Sequence, residues 1–326
     1  MVSLPRPVAA AVDTLLDRTV APGYSRIGPA VRRRLPTWPA DPRPGAMTGR
    51  LAVVTGATSG LGRATAEGLA RLGAEVVLVA RDTGKGARVR REIADDLPLA
   101  SLDVRRCDVS DLDDVRRFVA ELEADLGERR IDVLVHNAGA MPPERTESAQ
   151  GHELTMSLHV LGPVLMTELL RERLRGGRVV LVTSGGMYAQ RLRDDDPEYV
   201  DGDYSPTTAY ARSKRAQVEL LPVLQRRWAA QGVDVHATHP GWADTPGVVD
   251  SLPRFHRLTG PLLRDAAEGA DTTVWVAATE PAPPGGQLWH DRRVRPTQLL
   301  PRTRTGPAER DRMWAWVSRQ LALEPA

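Results

Sequence analysis

Between residues 51 and 240, short apolar runs alternate with longer stretches whose apolar residues recur at helical spacing. LAVVT (51–55), EVVLVA (75–80), IDVLVH (131–136), RVVLVT (178–183) and VDVHATH (233–239) carry few charges, as strands buried on both faces do. A weaker strand falls around Leu102–Val104, and GQLWHD (286–291) predicts a short strand closing one edge. Helices are predicted over Leu61–Leu72, over a polar stretch after Ala80 and over Asp111–Leu126, with Gly73 and Gly127 as C-caps. Two longer helices cover about His152–Leu174 and Thr208–Ala230, and a last one about Ala308–Leu321. Such alternation predicts an α/β fold: one doubly wound parallel sheet of about seven strands, its crossovers right-handed.

The flanks differ from this body. Residues 1–46 form an arm rich in Pro and Arg. Five prolines from Pro29 to Pro44 predict an extended connection. Within the arm, VAAAVDTLLDRTV (8–20) is mildly amphipathic and is expected to dock on the body rather than on a membrane surface. The regular domain runs over 47–295, and 296–326 is a tail with one helix. No apolar run reaches the roughly 20 residues of a membrane span, so no transmembrane segment is expected, and the order of a signal peptide is missing at the N-terminus. The 44 basic and 42 acidic residues leave a net charge of +2 and are scattered, which argues against a nucleic-acid partner. A lone cysteine, Cys107, fits a cytoplasmic protein and reads as a small core residue rather than a nucleophile.

Chemistry enters at the first strand–helix turn, TGATSGLG (55–62). Gly56 permits the sharp turn, Gly60 lets the backbone approach a pyrophosphate, and Gly62 lets the helix pack on the sheet. Thr58, Ser59 and Leu61 lie between them, at a helix N-terminus suited to phosphate. This is a Rossmann-type arrangement with the spacing G-x-x-x-G-x-G. The second strand ends in Ala80-Arg81. Arg81, with Arg63 able to add a second positive charge, favours a 2′-phosphate and hence NADP(H), with NAD(H) as the lesser alternative.

The helix from Thr208 opens with YARSK, which puts Tyr210 and Lys214 one turn apart on one face. An ammonium beside a phenol lowers its pKa toward working pH, so Tyr210 is the candidate acid/base. Ser184, at the carboxyl edge of RVVLVTS, is placed to hold the substrate oxygen. Thr183 points to the other face of the strand, and Ser213 is a poor candidate. HNAG (136–139) and HPGWADT (239–245) end two further strands at the same edge. There Pro240 and Gly241 shape a turn next to Trp242, and Thr245 could hydrogen-bond a nicotinamide amide.

TGATSGLG, CDVS, HNAG, VTS, YARSK and HPGWADT occur in the order and spacing of the short-chain dehydrogenases/reductases, and the chain resembles that family over about residues 48–290. The resemblance implies that Tyr210 is the acid/base, that Lys214 lowers its pKa and holds the nicotinamide ribose, and that Ser184 binds the substrate oxygen. It implies that Gly56, Gly60 and Gly62 cradle the pyrophosphate. Asp108 and Val109 would border the adenine, and Asn137, Ala138 and Gly139 the adenosine ribose side. It further implies a homo-oligomer paired through the two long helices.

Two departures stand out. His136 replaces the first Asn of the family's Asn-Asn-Ala-Gly. His159 stands where the family's relay Asn is expected, and it either holds the same water or breaks the relay. The acidic run Asp194, Asp195, Asp196 and Glu198 reads as a solvated loop rather than a metal site, and the stretch Thr245–Pro261 as a substrate lid for an apolar substrate. The reading that follows is an NADP(H)-dependent oxidoreductase acting on a small aldehyde, ketone or alcohol. The alternative is a cofactor-binding sensor or scaffold with little turnover. A sugar-nucleotide epimerase ranks last, because the chain after Gly241 is short for a substrate domain.

Overall fold

A computed structural model describes residues 5–244, 256, 257 and 259–324. The core strands are β1 (Leu51–Thr55), β2 (Glu75–Ala80), β3 (Ser101–Arg106), β4 (Val133–His136), β5 (Arg178–Val182), β6 (Asp234–Thr238), β7 (Gln287–His290) and β8 (Arg293–Arg295). They form one sheet in the order β3-β2-β1-β4-β5-β6-β7-β8, parallel except for the antiparallel β7–β8 pair. The chain winds outward from β1 to β3, then returns to lay β4 beside β1. That reversal opens a crevice at the carboxyl ends of β1 and β4.

Alternate residues of each strand feed two cores. Leu51 and Val53 of β1 join the core under helices α6 (Leu112–Leu126), α8 (Gly162–Leu169) and α9 (Pro206–Arg227). Ala52 and Val54 join the other, under α4 (Gly60–Arg71) and α10 (Ala266–Ala278). The remaining body helix, α5 (Thr83–Asp96), starts at Asp82, whose carboxylate caps the N–H of Lys85.

Four expectations need correction. The first is the arm, half of which is helical: α1 (Arg6–Arg18), α2 (Val20–Tyr24) and α3 (Ile27–Arg32). Pro7, Pro22 and Pro29 each fall in the first turn, where the N–H that proline lacks has no helical partner to lose. The second is the edge of the sheet, which the strand at 286–291 does not close. Asp291 and Arg292 turn the chain with φ of 49° and 55°, adding β8 as a hairpin without the Asn-Gly signal such turns usually show.

The third is the helix expected over 152–174. It runs as α7 (Leu154–Met156), a widened π turn (Ser157–Leu161) and α8. Pro163 has no N–H for the carbonyl of His159, and Gln217 Nε2 donates to that carbonyl instead, at 2.7 Å. The fourth concerns pairing through the long helices. Every residue of α8 except Leu169 is buried, and so is most of α9. The tail helix α11 (Pro307–Gln320) lays Met313 and Val317 into the same core, as does Leu321 just after it. Among the described residues these helices therefore keep no free face for a partner protomer.

Candidate active site

The crevice is a cleft of about 470 Å³ at the carboxyl ends of β1 to β5. Its floor is the glycine turn. Gly56 has φ of +65°, and a Cβ there would lie 2.7 Å from Ala138 Cα. A Cβ on Gly62 would lie 2.2 Å from the carbonyl oxygen of Gly56. Glycine is therefore required at both. Ser59 precedes α4 without capping it, so the first N–H groups of the helix stay open on the side where Gly60 and Leu61 line the cleft.

Thr55, unremarked in the sequence, ties this turn to its neighbour. Its hydroxyl accepts the N–H groups of Asn137 and Ala138, both at 3.1 Å, while Asn137 Nδ2 donates to the carbonyls of Thr55 and Gly56 at 3.1 and 3.3 Å. The amide of Asn137 is thereby a brace between β1 and β4. At the far end of the cleft Arg81 is 78% exposed and lies 3.8 Å from Asp108, whose carboxylate accepts from Ser110 N and Oγ. Arg63 is held by Glu92 at 2.7 Å. Cys107 also touches the cleft, but burial pushes its thiol up to about 12, so it stays protonated.

Ser184 and Tyr210 both line the opposite end, where the Ser184 hydroxyl accepts from Gly186 N at 3.3 Å and acts to lower the Tyr210 pKa. Beyond them Ala140, Met141, Leu154 and Leu158 give an apolar wall. Thr183 turns away as expected, donating to the carbonyl of Lys214 at 3.2 Å. Lys214 is buried one turn from Tyr210, its ammonium donating to the Val182 carbonyl at 2.8 Å and lying 5.7 Å from the Tyr210 ring centre. The expected acidification of the phenol is reversed in this arrangement. Burial pushes Tyr210 up to about 12, against the lowering by Ser184, and draws Lys214 down to about 7. Loss of hydration outweighs the mutual effect of the pair.

His159 is buried behind Tyr210, ring centres 5.3 Å apart and edge-on. Ser213 Oγ donates to the carbonyl of Tyr210 at 2.9 Å, so it accepts from His159 Nδ1 at 2.8 Å. This fixes the tautomer and leaves Nε2 to accept from Ala140 N at 3.4 Å. Burial holds the ring well below the ordinary histidine range, hence neutral. Ser213 is thus no substrate ligand, as expected, yet it is part of the site's frame. His136 is also buried and neutral, its Nε2 bonded to Thr167 Oγ1 at 2.8 Å.

Pro240, Gly241 and Trp242 do not line the cleft. They face the arm: Trp242 N donates to the carbonyl of Tyr24 at 2.7 Å, and Arg264, which donates to Pro240 O at 3.3 Å, also donates to the arm carbonyl of Gly23 at 3.1 Å. Thr245 and most of the expected lid lie outside the described residues. The acidic run is held by arginines rather than solvated singly: Asp194 by Arg312, Asp195 by Arg193, Asp196 by Arg212. Glu198 takes His152 Nδ1 at 2.8 Å.

Residues 50–193 match the model of the short chain dehydrogenase family. The chain is 37% identical over 273 residues to dehydrogenase/reductase SDR family member 12 of Bos taurus, covering 81% of this chain and 84% of that one. It belongs to the short-chain dehydrogenases/reductases. It is also 40% identical over 259 residues to a putative daunorubicin C-13 ketoreductase of Streptomyces sp. (strain C5), covering 77% and 86% of the two chains. Among solved structures, a putative NAD(P)-dependent gluconate 5-dehydrogenase of Beutenbergia cavernae with bound NADP superposes with a TM-score of 0.61 at 28% identity, covering 76% and 97%. The protein is an NAD(P)-dependent oxidoreductase of this family.

Proposed function

We propose that the protein is an NADP(H)-dependent reductase of an apolar aldehyde or ketone, with Tyr210 as the proton donor. The observation that carries this reading is the meeting of the Ser184 and Tyr210 side chains on one wall of a cleft whose other end is an uncapped helix N-terminus behind glycines. The cleft fits a dinucleotide: a phosphate pair would take the open N–H groups of Gly60 and Leu61, and Arg81 would meet a 2′-phosphate. A nicotinamide there would supply or accept the hydride.

The residues of the chain supply the rest. Ser184 orients the substrate oxygen. Tyr210, its pKa raised to about 12, carries its proton throughout the neutral range and delivers it to the oxygen as hydride reaches the carbon. Lys214, when charged, stabilises the phenolate left behind. His159 acts as a strut rather than a relay, because both ring nitrogens are committed and it joins the Tyr210 helix to the Gly139–Ala140 turn. Met141, Leu154 and Leu158 select an apolar substrate. A ketoreductase among the relatives supports the carbonyl, and NADP in a neighbouring structure supports the cofactor.

The test is NADPH oxidation across a panel of apolar aldehydes and ketones, with NADH in parallel. Turnover with NADPH at least about tenfold above NADH is expected. The second reading, cofactor binding with little turnover, draws on His159 in the relay position. It predicts NADPH binding by fluorescence and no oxidation with any carbonyl of the panel.

A further inference from the structure

Helix α1 is amphipathic, and it sits with its polar side inward. Its buried residues are Ala9, Asp13 and Asp17. Asp13 takes Arg32 at 2.8 Å and both terminal nitrogens of Arg295 at 2.9 and 3.0 Å, and Asp17 takes Arg295 at 3.4 Å. The opposite stripe is apolar and faces solvent. Val8 is 45% exposed and Leu15, two turns on, 65%, with Ala11 exposed between them. Val20 (51% exposed) and Ile27 extend the apolar surface on α2 and α3, and Leu262, which accepts the N–H of Arg26 at 2.9 Å, borders it.

Surface helices normally bury their apolar stripe. An outward stripe rimmed by polar groups marks an interaction face. Its charge says which kind. The arm exposes Arg6, Arg18, Arg26 and Arg34. Its acids offset little of this: Asp13 and Asp17 are buried in ion pairs, and exposed Asp41 is bound to Arg292 at 2.6 Å. Two copies meeting through this face would oppose guanidinium to guanidinium. An anionic lipid surface complements both the apolar stripe and its basic rim.

We propose that the arm docks flat on an anionic phospholipid bilayer, with Val8, Leu15 and Val20 in the interface and the arginines at the headgroups. No helix among the described residues is long and apolar enough to cross a membrane, so the contact is peripheral. The face adjoins the site through Tyr24, which lies beneath Gly185 next to Ser184, and apolar substrate passes from the bilayer to the cleft. This last clause rests on the proposed reductase function; the docking does not.

The test is flotation of the purified full chain with phosphatidylcholine vesicles, with and without phosphatidylglycerol. Binding to the anionic vesicles alone is expected, lost in high salt and weakened about tenfold or more by Leu15→Ser. Val8→Ser, on the same stripe, should act alike if Leu15→Ser fails to fold. No binding, or binding unchanged in both variants, would overturn the proposal, as would a wild-type dimer in sedimentation that Leu15→Ser converts to monomer. Tyr210→Phe should float as wild type does, so loss of the catalytic reading leaves this one standing. Delivery is read separately. Anionic vesicles should speed NADPH-dependent reduction of a lipid-soluble carbonyl by the wild type. Leu15→Ser should lose that gain while keeping wild-type rates on a water-soluble one; equal stimulation of both would overturn delivery.

Discussion

At the residue scale, the site turns on two groups that burial moves in opposite directions. Lys214 sits at about 7 in the fold against 10.5 in the open chain. Between those values the folded state holds fewer protons, so stability rises with pH across that window, and below it the full cost of burying the ammonium is present. Lys214→Met should therefore raise the melting temperature at pH 6 while lowering reduction about a hundredfold or more; a lower melting temperature would contradict the burial argument. Reduction needs that ammonium charged and the Tyr210 phenol protonated, so kcat/KM should fall as pH rises through about 7. His159, held neutral, adds no limb to this profile. His159→Asn, too short for both of its contacts, should lower kcat about tenfold with the profile unchanged in shape. A lost ionisation in that variant would make His159 a titrating participant.

Ser184, Tyr210, Lys214 and the glycines were legible as a site because each has a mechanical reason at its spacing. Thr55 was not, since a threonine ending a strand carries no signal until the neighbouring turn is seen to rest on it. The direction of the Tyr210 shift is illegible for a related reason: spacing on a helix shows proximity to Lys214 but not the burial that overrides it.

At the scale of elements, one arm residue grips both the turn that follows Ser184 and the turn that follows β6. The Tyr24 ring lies edge-on to His239 at 4.6 Å and to His290 at 5.1 Å. It also lies beneath Gly185, where a Cβ would meet Tyr24 Cε2 at 3.3 Å. Its carbonyl takes Trp242 N at 2.7 Å. Tyr24→Leu should therefore loosen the Ser184–Ala189 and His239–Trp242 turns together. The expected outcome is faster hydrogen exchange in both peptides, none in the glycine turn at 55–62, and kcat reduced about tenfold; unchanged exchange would make the arm a mere appendage. The π turn under His159 belongs to this scale too. Pro163 in HVLGP was visible in the sequence, yet what takes the freed carbonyl, Gln217, comes from another helix and is seen only in the fold.

Across the whole molecule, the parallel sheet and its helices follow from apolar runs and their spacing, while the order of strands is seen only in the fold. The arm was the part least legible. Of its prolines, Pro7, Pro22 and Pro29 open short helices, whereas Pro36, Pro39, Pro42 and Pro44 lie in non-helical chain, as their spacing predicts. Its buried ion cluster links residues nearly the length of the chain apart: Asp291 takes Arg32 and Arg264, and Asp13 takes Arg32 and Arg295. Composition shows only scattered charges there. The tail presents the same difficulty, since its helix was readable but its place over α9 was not.

The proposed NADP(H) preference belongs to this scale. It rests on Arg81, exposed at the cleft end beside Asp108, so Arg81→Ala should weaken NADPH about tenfold while leaving NADH unchanged, measured by fluorescence titration.

The central claim is that the Tyr210 phenol gives up the proton that reduction consumes. Single-turnover oxidation of bound NADPH by a carbonyl substrate, compared between wild type and Tyr210→Phe with the cofactor dissociation constant measured on the same samples, tests it most directly. The expected result is a rate about a hundredfold to ten-thousandfold lower in the variant with NADPH binding intact. A variant that turns over at the wild-type rate would contradict the account.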